Sequence, residues 1–209
     1  SMHIADFSVG MLGANGVVSA NINIAAGAGH AIKLKGGNNI SCCIFGDGAI
    51  NRGPFLEGLN WAGVFRLPVL FVCEKNGFAS TTLTEAMTSG TGSKDRAESL
   101  GIPAEEIDGN DIVAVDECVR KNINEIRSGG GPRFILCKTY RLHGHTASDP
   151  ALYRDQEDVD KAWKNDPILN CKELLKNAGV TEKDLAGHRH DALAEMQEVY
   201  DLAKRAPWP

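Results

Sequence analysis

The sequence predicts an α/β fold: a parallel sheet with helices on both faces, followed by a C-terminal helical extension. Three observations carry that expectation. First, short, mostly apolar runs at 40–45 (ISCCIF), 69–73 (VLFVC) and 134–138 (FILCK) are bounded by turn residues, the pattern of strands buried on both faces. Second, helical periodicity fills the chain between those runs. Third, the character changes after Thr139, where a polar stretch without periodicity leads into two or three charged amphipathic helices over 156–204.

Taken in order, 10–16 (GMLGANG) is a loop, since three glycines and an asparagine crowd it. Residues 19–34 (SANINIAAGAGHAIKL) read as a helix rich in Ala and Gly, whose small side chains let another backbone come close, so its place is against a neighbouring element or a second subunit. The first strand follows at 40–45. Residues 54–66 form a helix with Phe55, Leu59 and Ala62 on one face, and Pro68 separates it from the second strand. Residues 76–92 are loop-like, 94–100 a short helix, and 111–127 a longer one with Val115, Val119, Ile123 and Ile126 in register. Gly129-Gly130-Gly131-Pro132 stops that helix before the third strand. The expected division is a core over 1–155, which includes the loop 140–155, and a helical extension over 156–209.

Composition removes several function classes. A chain of 209 residues with 43% apolar and 23% charged residues suits one sizeable globular domain. A net charge of −5 and the lack of a basic run argue against nucleic acid or an anionic membrane as partner. No apolar run reaches the ~18–20 residues that span a bilayer. The opening SMHIAD lacks the basic-then-apolar order of a signal peptide. The six cysteines form no Cys-x-x-Cys pair, which reads as buried, reduced thiols in an intracellular protein.

The first chemical constellation lies at strand ends. Gly46-Asp47-Gly48 follows the first strand and Glu74-Lys75-Asn76-Gly77 follows the second. Ligands of open parallel sheets sit beyond the carboxyl ends of the strands, so Asp47 and Asn76 should meet on one edge. A carboxylate, an amide oxygen and a nearby backbone carbonyl suit Mg2+, which takes oxygen ligands in octahedral geometry and shares them with phosphates and water. The flanking glycines let backbone approach a diphosphate, and the helix after Asn51 adds the dipole of its N-terminus. Either motif alone is ordinarily a turn. Both at the ends of buried strands, with a helix between, make a far more specific signal.

The second constellation is 139–154 (TYRLHGHTASDPALYR). His143 and His145 stand two apart, as in a metal site, but no third ligand is evident nearby. A solvated polar loop is the plain alternative. Arg141 carries a guanidinium that matches phosphate oxygens.

The stretch GDGAINRGPFLEGLNWAGVFRLPVLFVCEKNGF resembles the thiamine-diphosphate motif, and most closely that of the alpha subunits of pyruvate, acetoin and branched-chain 2-oxo acid dehydrogenases. The likeness runs nearly end to end, through SMHIADFSVGMLGANGVV upstream and the Tyr-Arg-x-His-Gly-His-Thr loop downstream. It implies the thiamine-diphosphate-binding fold. It also implies Mg2+ bound by Asp47, Asn76 and the backbone carbonyl of Phe78. Gly48 and Ala49 would touch the diphosphate, Gly16 and Val18 would meet the cofactor, and Arg141 and His145 would reach its phosphate, with His145 also at the reacting centre. Asp149, Tyr153 and Arg154 would order the loop. Thr146 stands where mammalian relatives are phosphorylated, and a dianion there would oppose the diphosphate. The chain departs from the family at Lys75 and Arg52, neither of which is an implied ligand.

The resemblance also implies cleavage of pyruvate or acetoin and transfer of the two-carbon unit to a lipoyl group on an acyltransferase. A beta subunit would supply the glutamate that activates the cofactor, in an alpha2-beta2 heterotetramer. The implied location is the bacterial cytoplasm, with the mitochondrial matrix as alternative. The chain starts inside a motif that the family continues upstream. Two other readings stay open: a transketolase-like thiamine-diphosphate enzyme, which shares the metal motif but not the histidine loop, and a truncated non-catalytic assembly subunit.

Overall fold

The computed structural model describes residues 3–207. It is an α/β structure with seven α-helices and six strands among those residues. In chain order they are α1 (Ala20–Lys35), β1 (Ser41–Gly46), α2 (Gly53–Val64), β2 (Val69–Lys75), β3 (Phe78–Ala79), β4 (Thr82–Leu83), α3 (Ser93–Ser99), β5 (Ala104–Asp108), α4 (Ile112–Glu125), β6 (Arg133–Lys138), α5 (Gln156–Lys164), α6 (Pro167–Asn177) and α7 (Glu182–Arg205). The chain divides into two compact units, Ser1–Trp163 and Lys164–Pro209.

The first unit is built on a four-stranded parallel sheet in the order β1-β2-β6-β5. The three predicted strands are present, and β5 is a fourth that the sequence pattern does not show. Its AEEID sequence is polar because it is an edge strand, and Glu105 is used for bonds to Lys121 (2.9 Å) and Asn122 (2.8 Å) of α4. Such a strand lacks the continuous apolar run that marks a central one. The region 76–92 is also more ordered than a loop, since β3 and β4 pair antiparallel as a small hairpin.

Both faces of the sheet are covered. On one, α1, α2 and α3 bury Cys43, Phe45, Phe71, Cys73, Phe134 and Leu136. Phe55 and Leu59 of α2 are fully buried there, and Phe55 meets Phe45 and Phe134 edge-on, with ring centroids 6.0 and 6.3 Å apart. Each such side chain contributes roughly 1.5–3 kcal/mol by leaving water. On the other face, Cys118 and Ile126 cover Leu70, Ile135 and Cys137. The first strand departs from the expectation of burial on both faces and of buried cysteines: β1 lies at the sheet edge, and its Cys42 and Ile44 stay exposed.

The Ala- and Gly-rich α1 packs as the sequence suggests, against a neighbouring element. A Cβ on Gly29 would lie 2.4 Å from Val69 Cγ2, and one on Gly58 of α2 would lie 2.5 Å from Asn23 Oδ1. The missing side chains are what let α1 settle onto β2 and α2 onto α1. Asn21 Nδ2 donates to Ile44 O (2.9 Å), which ties the start of α1 to the end of β1. The predicted stop of α4 also holds: the helix passes into a π-turn (Ile126–Gly130) that ends where Gly129 takes a left-handed φ of 82°.

The second unit consists of α6 and α7. Thr181 and Asp184 form a capping box at the start of α7, and Glu182 pairs with Lys172 (3.1 Å) and Lys176 (3.0 Å). No helix among the described residues is long and apolar enough to cross a membrane.

Candidate functional site

Parallel pairing of β1 with β2, Gly46 opposite Glu74, sets the ends of the two strands side by side. Asp47 opens a 3-10 turn (Asp47–Asn51) directly after β1 and is only 3% exposed. Its Oδ2 accepts from the Gly77 N–H (3.1 Å) and from Thr84 Oγ1 (2.6 Å). The strand-end segments that stand 29 positions apart in the chain are thus in direct contact.

Asp47 Oδ1 is the informative atom. It is buried, and it accepts no hydrogen bond among the described residues. A buried carboxylate oxygen without a partner is strongly unfavourable, and a cation is the natural remedy. Asn76 immediately precedes Gly77, whose N–H meets Asp47 Oδ2. Asn76 Oδ1 accepts from the Phe78 N–H (3.0 Å) and keeps a second lone pair. Gly48 holds the approach open: a Cβ there would sit 2.8 Å from Ala79 Cβ and 3.0 Å from Ala79 Cα. Ala49 is buried behind it. Cys73, one strand inward, is no competing ligand. Burial first, and then the Asp47 and Cys137 charges, push its thiol up to about 12 against an opposing hydrogen bond from Ser93, so it stays protonated.

The loop 140–155 carries no regular structure, yet its side chains are knitted together. Asp149 Oδ2 accepts from the His145 N–H (2.7 Å) and from Tyr153 OH (2.8 Å), while Oδ1 accepts from the Ala151 N–H (2.8 Å). These bonds, the His145 amide first, hold the Asp149 carboxyl below its usual range. Arg154 donates to the carbonyl of Arg141 and stacks over Tyr140, 5.6 Å from its centroid. Gly144 has no room for a side chain, because a Cβ would meet Asp149 O at 2.2 Å.

Arg141 joins this loop to the first constellation. Its Nη2 donates to the carbonyl of Ser80 and to Tyr153 OH (2.9 Å). Its guanidinium lies 5.7 Å from the Phe78 centroid. The Phe78 ring also packs on Tyr153 (5.6 Å) and Tyr140 (6.4 Å). The residue whose carbonyl is the expected third cation ligand therefore anchors the histidine loop through its side chain. Nη1 of Arg141 lies 3.2 Å from Nδ1 of the exposed His145. A guanidinium only donates, so Nδ1 accepts and Nε2 carries the proton of the neutral ring.

Gly16 and Val18 lie in the irregular stretch before α1, and no hydrogen bond joins them to Asp47, Asn76 or His145 among the described residues. Three participants are absent from the sequence-based expectation: Thr84, the Phe78 ring, and the Ser80 carbonyl. Thr84 had no signal, since a threonine in a polar segment is unremarkable until the hairpin folds back. A strand-end aromatic between a candidate ligand and a hairpin was the one cue for the Phe78 ring.

Fold and site together define a class: a parallel α/β protein that carries a buried, unpartnered carboxylate oxygen at its strand ends. The chain belongs to the dehydrogenase E1 component family, whose profile matches residues 1–209. It is 38% identical over 210 residues to the alpha subunit of acetoin:2,6-dichlorophenolindophenol oxidoreductase of Bacillus subtilis (strain 168), covering 100% of this chain and 63% of that protein. It is 37% identical over 210 residues to the pyruvate dehydrogenase E1 component subunit alpha of Zymomonas mobilis, covering 100% of this chain and 59% of the relative. With the mitochondrial somatic-form human pyruvate dehydrogenase E1 component subunit alpha the identity is 32% over 212 residues, and the chain covers 53% of it. The chain thus spans somewhat more than half the length of these relatives. Membership in the family implies thiamine diphosphate as cofactor.

Proposed function

We propose that this chain is the cofactor-binding part of the alpha subunit of a thiamine-diphosphate-dependent dehydrogenase that acts on pyruvate, another 2-oxo acid, or acetoin. One observation carries the reading: the buried, unpartnered Oδ1 of Asp47, whose other oxygen meets the residue after Asn76, at the carboxyl edge of a parallel sheet. Asp47, Asn76 and the Phe78 carbonyl would hold Mg2+ on the diphosphate. Gly48 and Ala49 would line the diphosphate path, and Gly16 and Val18 would border the rest of the cofactor. When bound, the cofactor supplies an electron sink for cleavage of a bond next to a carbonyl.

The chain's own residues would then serve that chemistry in separate ways. His145 presents an N–H at Nε2, fixed by the Arg141 contact at Nδ1, to an anionic oxygen of cofactor or substrate. Arg141 keeps further N–H groups for phosphate while it holds the loop to Ser80 and Phe78. Asp149 and Tyr153 keep the backbone of His145 in place.

The partners in this reading are a beta subunit, in an alpha2-beta2 assembly, and a lipoyl-bearing acyltransferase that receives the two-carbon unit. The relatives named as alpha subunits of pyruvate and acetoin enzymes support it, and the bacterial ones favour a cytoplasmic location. The test is calorimetry with thiamine diphosphate and Mg2+ on the full-length chain co-expressed with its partner, followed by a substrate panel with a lipoyl-domain acceptor. Binding that disappears in Asp47→Asn, with turnover of pyruvate or acetoin, is the expected result. No cofactor binding by the wild-type assembly would overturn the reading and favour a scaffold subunit. Binding without lipoyl reduction would favour a transketolase-like enzyme.

A further inference from the structure

The two oxygens of Asp47 live in opposite circumstances. Oδ2 receives two donors, the Gly77 amide at 3.1 Å and the Thr84 hydroxyl at 2.6 Å. Oδ1 receives none and is buried. Gly77 and Thr84 are the two residues that bracket the β3–β4 hairpin, and the Thr84 N–H donates to Gly77 O (3.0 Å) to close its base. The base of the hairpin is therefore a two-pronged clamp on one carboxylate oxygen. Gly77 reaches its place with φ at +85°, in the left-handed region.

The clamp is anchored to the same turn that carries Asp47. Thr84 is 6% exposed. Its carbonyl accepts from Thr88 Oγ1 (2.7 Å), and Thr88 in turn accepts from Asn51 Nδ2 (3.0 Å). Asn51 is the last residue of the turn that begins at Asp47. Arg96 of α3 grips Asn51 Oδ1 (3.0 Å) and the Ile50 carbonyl (2.7 Å). A closed circuit thus runs from Asp47 through Thr84, Thr88 and Asn51 back to the Asp47 turn.

We infer that Thr84 is a positioning residue for Asp47: by occupying Oδ2 it presents Oδ1 alone to the cation, and so favours Mg2+ over Ca2+. The chemistry follows from the two ions' habits. Mg2+ demands near-octahedral geometry and takes a carboxylate through one oxygen, whereas the larger Ca2+ accepts bidentate carboxylates and more ligands. Two donors on Oδ2 close the bidentate mode. The Thr84 hydroxyl bond, the shorter of the two, also fixes the rotation of the carboxylate about its axis.

This inference rests on the proposed cation role of Asp47, and the experiment separates the two. Mg2+ and Ca2+ titrations of thiamine diphosphate binding are run by calorimetry on the full-length chain in its native assembly, for the wild type, Thr84→Val, Thr84→Ser and Asp47→Asn. Thermal melts without divalent cation accompany them. Thr84→Val keeps the shape and removes the hydroxyl. It should raise the Mg2+ concentration for half-saturation by about tenfold, the lower end of the usual effect of losing a ligand's hydrogen-bond partner. It should also move the Mg2+/Ca2+ preference toward Ca2+, and Thr84→Ser should restore both. A Thr84→Val protein with wild-type Mg2+ dependence and wild-type ion preference would overturn the inference. So would a Thr84→Ser protein that behaves like Thr84→Val, and so would a lowered melting temperature with cation dependence untouched. Should Thr84→Val fail to fold, Thr84→Ala reads the same quantities. Wild-type cation dependence in Asp47→Asn would instead remove the underlying reading.

Discussion

A single methyl group added at Gly48 tests whether the hairpin really closes over the strand end. The Cβ of Gly48→Ala would lie 2.8 Å from Ala79 Cβ and 3.0 Å from Ala79 Cα. Comfortable carbon contacts begin near 3.5 Å, so the hairpin must retreat by roughly 0.5–1 Å. It is not free to do so, because Gly77 and Thr84 at its base hold Asp47 Oδ2. Overpacking of this kind is worth about 1–3 kcal/mol, and weakening one buried bond to a carboxylate adds a comparable amount. At the low end of that sum, about 2 kcal/mol, a domain of this size melts about 4–8 °C lower, and a larger loss lowers it further. Gly46→Ala is the control, since a Cβ there meets no heavy atom within 4 Å and φ is already −82°. Differential scanning calorimetry of the two variants without cofactor is the assay. Equal melting temperatures would refute the claim that Gly48 is required for the hairpin's approach.

Other expectations concern the loop and the core. The Asp149 carboxyl is held below its usual 3.8 by the His145 and Ala151 amides and Tyr153, so its ordering effect is full above that value and fades as pH falls through the lowered one. Limited proteolysis at 140–155 should therefore be faster in Asp149→Asn than in the wild type at pH 7, where the Asp149 carboxyl is fully ionised. Phe55→Ala removes a fully buried ring from the Phe45–Phe134 cluster and should lower stability by about 3–5 kcal/mol in a denaturant titration. The Cys43 and Cys73 thiols are pushed up to about 12 and Cys137 to about 11, in each case chiefly by burial. Iodoacetamide at pH 8 should leave all three unlabelled in the native chain and reach them only in denaturant, as read by peptide mass spectrometry.

Much of the first unit was legible because its signals are local. Apolar runs such as VLFVC mark strands buried on both faces, and the phase of Phe55, Leu59 and Ala62 marks the buried side of a helix. The edge strand β5 was not legible. Its AEEID sequence is chosen by contacts to Lys121 and Asn122 across space, not by burial along the chain. The hairpin at 78–83 escaped for a similar reason, being short and held by its pairing and by Asp47.

By itself the sequence determined the parallel α/β class, the two strand ends that carry Asp47 and Asn76, the histidine loop, and the family those motifs resemble. All of these depend on residue type and near-neighbour spacing. Tertiary structure alone decided that Asp47 Oδ2 is taken and Oδ1 is not, that Thr84 does the taking, and that Phe78 and Arg141 bind the two constellations into one. Those are relations between groups up to 63 positions apart, Phe78 to Arg141, and hydrogen-bond direction and burial exist only once the chain has brought them together.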